Sequence, residues 1–173
     1  MIRSIALAAF SALALAACNQ AQQQPPAQNA PSQQQFQMPA QQASLSDAER
    51  QQLNDLVKGY LDSAQEGLAQ GMKPAPGFND EVTGLQPGHD HRWQVSLKGG
   101  TAYRVIGGCD NECSNMDIEL IDARGGVVAN DMAPDDHPMV NFTPAADGVY
   151  TVRLLMQTCT VAPCYAGARV LVN

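Results

Sequence analysis

Basic residues are scarce in this chain: ten Lys and Arg stand against seventeen Asp and Glu, a formal net charge of −7. Affinity for nucleic acid comes largely from Lys and Arg at phosphates, so this balance argues against a nucleic-acid partner. It argues equally against a polybasic face lying on an anionic membrane. Long hydrophobic runs are missing too. The most apolar stretch, Ile5 to Ala17, falls short of the about 20 residues that a bilayer-spanning helix needs. Familiar catalytic signatures are lacking: there is no G-x-S-x-G, no H-E-x-x-H and no Walker loop. Aromatic rings are few, with one Trp and four Tyr. Trp93 falls on the inward phase of its strand and is expected in the core. Tyr165, beside Cys164, is the better candidate for a surface platform that meets a sugar or a peptide.

What is present begins with an address. Met1-Ile2-Arg3 followed by the apolar, small-residue run to Ala17 has the layout of a secretory signal. The run ends Leu15-Ala16-Ala17-Cys18, which resembles the lipobox of bacterial lipoproteins. That resemblance implies cleavage after residue 17 and a lipid anchor on Cys18, with membrane attachment through the acyl chains. Asn19, rather than Asp, follows the Cys, which resembles the outer-membrane class of lipoproteins. The implied location is the cell envelope, at the outer membrane facing the periplasm or the surface rather than at the inner membrane. Without residues 1–17, nine basic residues face seventeen acidic ones, a net of −8. The remaining length allows one domain with a real core.

Residues 19–43 hold eleven Gln, five Ala, four Pro and no charge. With so little to bury, the segment cannot offset its ordering entropy. Residues 18–43 are therefore read as a lipidated Cys with a disordered tether spanning about 25–30 Å. Order is expected over 44–72. Ser46-Asp47-Ala48-Glu49 is a capping box. Leu53, Leu56, Val57, Tyr60, Leu61, Ala64 and Leu68 recur at three- and four-residue spacing. This predicts an amphipathic helix from Asp47 to Gln70 with Gly71 just past its end. Its stripe either packs on the protein's own sheet, the preferred reading, or pairs with another chain. Residues 73–87, with Pro74, Pro76, Pro87, Gly77 and Gly84, read as a connector.

From Arg92 the period changes to two. Trp93, Val95 and Leu97 lead to the Gly99-Gly100 turn, and Tyr103 and Val105 continue beyond it. Met116, Ile118 and Leu120 alternate with acids. Val127-Val128 and Met139 to Phe142 are two short strands. Tyr150, Val152, Leu154 and Met156 face inward from the clearest strand, and Ala168, Val170 and Val172 close the chain. The fold class is mainly β: an antiparallel sandwich over 88–173, preceded by one amphipathic helix and the tether.

Tyr103-Arg104-Val105-Ile106-Gly107, Met116 to Asp122, Gly125 to Ala129, Phe142-Thr143-Pro144 and Gly148 to Arg153 occur in that order. Over Glu81 to Asn173 the chain resembles the bacterial pre-peptidase C-terminal domain, a small jelly-roll-like β-sandwich. Modules of that family usually trail secreted peptidases, and relatives in clostridial collagenases bind collagen. No peptidase stands in residues 1–80. The resemblance therefore implies the fold and a binding or secretion-support role, not a peptidase-linked one. The Cys residues of the β domain do not belong to the family's general pattern.

Those cysteines are Cys109, Cys113, Cys159 and Cys164. Export would place them where disulfides persist. Of the three connectivities four Cys allow, the local one, Cys109–Cys113 and Cys159–Cys164, joins the nearest partners. A zinc site built from the four thiolates is the alternative. Acids crowd the middle of the domain: Asp110, Glu112, Asp117, Glu119, Asp122, Asp131, Asp135 and Asp136. Asp110, Asp131, Asp135 and Asp136 are the candidate ligands for Ca²⁺, which takes 6–8 oxygens. The alternative is solvated strand faces and turn formers. His89 and His91, two apart where a linker enters a strand, would share a face on a strand and, with His137, have the chemistry for a transition metal, although nothing in the sequence brings His137 near. The leading expectation is a non-enzymatic binding or accessory module of the envelope, without cofactor, whose unknown ligand is a protein or a glycan. A Ca²⁺-dependent binding module and an enzyme of unrecognised type are the other readings.

Overall fold

A computed structural model describes residues 39–173. The expected signal segment, Cys18 and residues 19–38 of the tether lie outside the described residues. Strand β1 (Gln41–Gln42) comes first, followed by helix α1 (Asp47–Leu68), β2 (Lys73–Pro74) and β3 (Glu81–Leu85). Eight strands follow: β4 (Asp90–Leu97), β5 (Tyr103–Cys109), β6 (Cys113–Ile121), β7 (Val127–Asp131), β8 (Met139–Phe142), β9 (Gly148–Cys159), β10 (Val161–Ala162) and β11 (Cys164–Val172).

The protein is mainly β, an antiparallel sandwich with one helix. The first sheet runs β2-β11-β5-β8, and β3 pairs with the other half of β11, so that β2 and β3 share one edge. The second runs β4-β9-β6-β7. The alternation read from the sequence is the alternation that fills the space between them. Val95, Leu97, Val105, Met116, Ile118, Leu120, Val152, Leu154 and Met156 are buried there. Each such side chain contributes about 1.5–3 kcal/mol of transfer free energy. Trp93 is half-buried against this core, as its phase implies.

The helix begins where the capping box predicts. The Ser46 hydroxyl accepts from the Glu49 N–H at 3.3 Å, and the Glu49 carboxylate accepts from the Ser46 N–H at 2.7 Å. It ends at Leu68, two residues early: Ala69 makes the last helical bond, to the Gln65 carbonyl, but leaves helical geometry at φ −139° and ψ 40°, and the chain then turns through Gly71 at φ 83°. No basic residue stands in its last turn, but Arg104 on β5 donates to the Leu68 carbonyl. That supplies both the donor and the positive charge a helix C-terminus favours.

The helix packs on the outer face of the first sheet. Leu61 and Ala69 join Ile106 and Leu171 in a second, smaller core, and Val57 is buried against Gly167. The stripe therefore packs on the chain's own sheet. Leu56, counted in it, is 37% exposed. A Cβ at Gly167 would lie 2.8 Å from both the Glu81 carbonyl oxygen and Val57 Cγ1, so only glycine allows this approach. Arg169 locks the arrangement from the sheet side. Its guanidinium grips both Asp80 oxygens at 2.7 Å and reaches Asp62 and Gln65 of the helix at 2.8 and 2.9 Å. These acceptors, Asp80 first, raise the Arg169 pKa.

Two expected boundaries move. Residues 73–87 are not only a connector: β2 and β3 lie within them and pair with β11. Proline at 74 is tolerated because β2 is an edge strand. Order also reaches into the tether. Gln41 and Gln42 pair parallel with Val161 and Ala162, and the Gln42 and Gln86 side-chain amides bond reciprocally.

Candidate ligand groove

Local sequence creates a gap beside the helix. Gly107 and Gly108 follow one another on β5, where side chains would point in and out respectively. A Cβ at Gly107 would lie 2.9 Å from Met116 Cε, so this position must be small for the two sheets to close. Gly108 faces Tyr60 and Leu61 without crowding, its Cβ position being 3.6 Å from the nearest atom, an ordinary van der Waals contact. The absent side chains leave a groove of about 520 Å³ between α1 and the end of β5. Tyr60, Ser63 and Gly67 form its helix wall, Gly107 and Gly108 its floor, and Asp110, Asn111, Asp136 and His137 its far end. That volume is in the range of small-ligand sites.

The far end is held by a disulfide loop. Cys109 and Cys113 are bonded, as are Cys159 and Cys164, with Cα atoms 6.0 and 5.9 Å apart. This is the local connectivity, and with the thiols oxidised the thiolate zinc site does not form. Both loops lie at one end of the sandwich. Cys113 and Cys159 are cross-strand partners, and Thr160 donates to the Glu112 carbonyl from both its N–H and its hydroxyl.

Asp110 sits inside the first loop, only 3% exposed. Its backbone N–H donates to the Tyr165 carbonyl, and its Oδ2 accepts the Tyr165 N–H at 2.6 Å. Oδ1 is shut away from solvent and makes no hydrogen bond of normal geometry, although the Glu112 and Cys113 amides come close enough to act on the carboxyl. Burial pushes the Asp110 carboxyl above its ordinary pKa, and the Glu112 charge adds to this. The Tyr165 amide, and more weakly those of Glu112 and Cys113, pull the other way. Among the described residues Asp110 has no cationic partner. Across the groove the Tyr60 hydroxyl donates to Asn111 Oδ1 at 2.8 Å. At the rim His137 Nδ1 and Asp136 Oδ1 are 2.6 Å apart, and this contact raises the His137 pKa. Ser63 is not poised as a nucleophile, since its hydroxyl donates to the Gly59 carbonyl.

The proposed Ca²⁺ ligands do not converge. Asp131 accepts the N–H groups of Ala133 and Met139, and Asp135 accepts that of His137. Asp136 pairs with His137, and Asp110 is buried against Tyr165. Among the described residues no three His, Cys, Asp or Glu side chains form a metal-ligating group. The acids serve turns, as Asp commonly does. Asp122 is a further case: the N–H groups of Gly126 and Arg124 hold its carboxyl below the usual range. The His residues also stay apart. His91 stacks on Trp93 and reaches Glu81 at 3.3 Å, His89 is exposed, and His137 is held by Asp136. Tyr165 is a correction as well. It is 6% exposed, because Gly84 on the neighbouring strand lets the chain close over its ring.

Sequence reasoning missed the groove because no single residue announces it. The usable signal was Gly107-Gly108 immediately before Cys109-Asp110, two absent side chains next to a stapled loop.

Comparison with known protein families and with characterised proteins finds no match. Among solved structures the chain is similar to PliG of Aeromonas hydrophila, a periplasmic lysozyme inhibitor of g-type lysozyme. Identity is 11% and the TM-score 0.43, over 61% of this chain and 91% of that one. Among the described residues no helix is long and apolar enough to cross a membrane.

Proposed function

We propose that this protein is a lipid-anchored binding module of the bacterial cell envelope, holding its ligand in the groove between α1 and β5 without transforming it. The groove itself carries the reading: it is open, framed by the helix and a disulfide loop, and Asp110, which lines its inner end, is a buried carboxylate with one oxygen unpartnered. A buried polar atom without a partner costs about 1–3 kcal/mol, a cost that a bound water, ion or ligand group relieves. Attachment through Cys18 at the outer membrane rests on the Leu15-to-Cys18 pattern and on Asn19. Two disulfides suit an oxidising compartment. The pre-peptidase C-terminal resemblance belongs to the same proposal, since it implies a sandwich that binds.

Two measurements test this. Wild-type protein should partition into the detergent phase and Cys18→Ala into the aqueous phase; equal partitioning removes the anchor. A photoreactive side chain at Ser63, in intact cells, should give a discrete adduct that Gly67→Trp abolishes by filling the groove. The same group at Ser96, exposed on the opposite sheet, should give none. No adduct from the groove wall would overturn the binding site.

A further inference from the structure

We infer that the groove takes a basic side chain, the ammonium of a lysine or the guanidinium of an arginine, from a partner polypeptide. This rests on the groove being the binding site and names the chemistry it recognises. Three observations converge. Two carboxylates, Asp110 and Asp136, line the groove; His137 pairs with Asp136 at the rim, and no Lys or Arg lines it. Asp110 is buried with one oxygen unpartnered and no ion pair. Tyr60 also lines the groove, and an aromatic ring attracts a cation that meets its face within about 6 Å.

The electrostatics favour this occupant over a neutral one. A carboxylate removed from water and left without a counter-ion is costly. A cation held in the groove lies beside Asp110 and Asp136 and is attracted by both, and screening is weak around the buried one. A space of about 520 Å³ exceeds what a lone ammonium needs and suits a long side chain with its flanking backbone. The overall charge of −7 steers a basic partner toward the molecule.

The pH dependence follows with a definite sign. The groups around Asp110 are Glu112 in its own turn, Tyr60 on the helix, Tyr165 on β11, and Asp136 and His137 on the loop before β8. Burial raises the Asp110 pKa, so on acidification it is protonated before an ordinary Asp. The pull on a cation is then lost. The same shift makes the ionised carboxyl a destabilising group: stability falls as pH rises from the unfolded-state Asp pKa through the raised folded value. Asp110→Asn keeps an oxygen for the Tyr165 N–H and removes the charge. It should therefore fold at least as stably at neutral pH.

The test is a titration of the full chain in detergent micelles, followed by amide chemical shifts. The probes are the tripeptides acetyl-Gly-Lys-Gly-amide and acetyl-Gly-Arg-Gly-amide, with acetyl-Gly-norleucine-Gly-amide as the neutral isostere. The basic peptides should move the resonances of Gly108, Asp110 and Asn111, and the norleucine peptide should not. Asp110→Asn should weaken the basic peptides by about ten-fold or more, equivalent to at least about 1.4 kcal/mol. It should also remove the loss of affinity on acidification. Asp136→Asn, at the exposed rim, should weaken binding less and keep that acid limb. If lysine and norleucine peptides bind alike, the groove remains a binding site and the cation inference falls. If the basic peptides leave the groove resonances unmoved, the inference falls too, while the Ser63 adduct decides the site independently.

Discussion

Single residues carry unequal burdens here, and Arg169 carries the heaviest structural one. Its side chain is 11% exposed and joins the sheet to Asp80 ahead of β3 and to Asp62 and Gln65 on the helix. Removing one partner of a buried ion pair leaves the other charge uncompensated, at a cost of about 3–5 kcal/mol. Arg169→Ala should lower stability by that order in urea titration. Asp62→Ala should cost far less, because Asp62 is 68% exposed at its side chain and water screens it. Equal losses from the two variants would show that Asp80 is not the main anchor. Arg169 was not visible as an anchor in the sequence. It alternates with the apolar Ala168 and Val170 on the last strand, and its acceptors, Asp80, Asp62 and Gln65, lie far away along the chain.

At the scale of elements, the helix–sheet contact depends on what two glycines leave out. Gly108 and Gly167 are cross-strand partners on β5 and β11, both facing α1, yet they differ. A methyl at 167 would meet backbone and Val57 at 2.8 Å, whereas a methyl at 108 would meet nothing closer than 3.6 Å. Gly167→Ala should destabilise by about 1–3 kcal/mol, in the range of an overpacked core, and should loosen α1 in hydrogen exchange. Gly108→Ala should fold normally. If both variants melt with the wild type, the close approach at Gly167 is not part of the packing. The helix itself was legible, since the Ser46 box and the three-four spacing are local signals. Its end was less so. Residues 69 and 70 fit the helical pattern, but Arg104, from a distant strand, takes the last carbonyl.

For the whole molecule the stapled end is the defining feature. Both disulfides, the β1 pairing and the inner end of the groove gather there. Each bridge closes a small loop and constrains the unfolded chain modestly, by about 2 kcal/mol in the chain-entropy model. Protein from an oxidising compartment should show none of the four β-domain thiols to an alkylating agent without reductant. Reduction should lower the unfolding midpoint while the helix and central strands remain folded. Four reactive thiols in the unreduced protein would contradict the bridges. Loosening of the Cys109–Cys113 loop should appear first in the groove resonances, because that loop carries Asp110 and Asn111.

Local chemistry was enough for much of this protein. The period of two placed the core faces of β4, β6, β9 and β11, because burial on one side of a pleated strand repeats every second residue. The capping box placed the start of α1, and the short Cys spacings named the bridges. What lay beyond local signals was decided by the tertiary structure. Short, Pro-containing β2 and the bridge at Gln41–Gln42 exist only because a partner strand offers its edge. Asp131 and Asp135 turned to backbone amides and Asp136 to His137 rather than to a shared cation, a choice set by where the loop runs. The groove arose from two missing side chains beneath a helix some forty residues earlier in the chain. Asp110 acquired its character from the burial that its own sequence neighbourhood, rich in polar residues, gave no reason to expect.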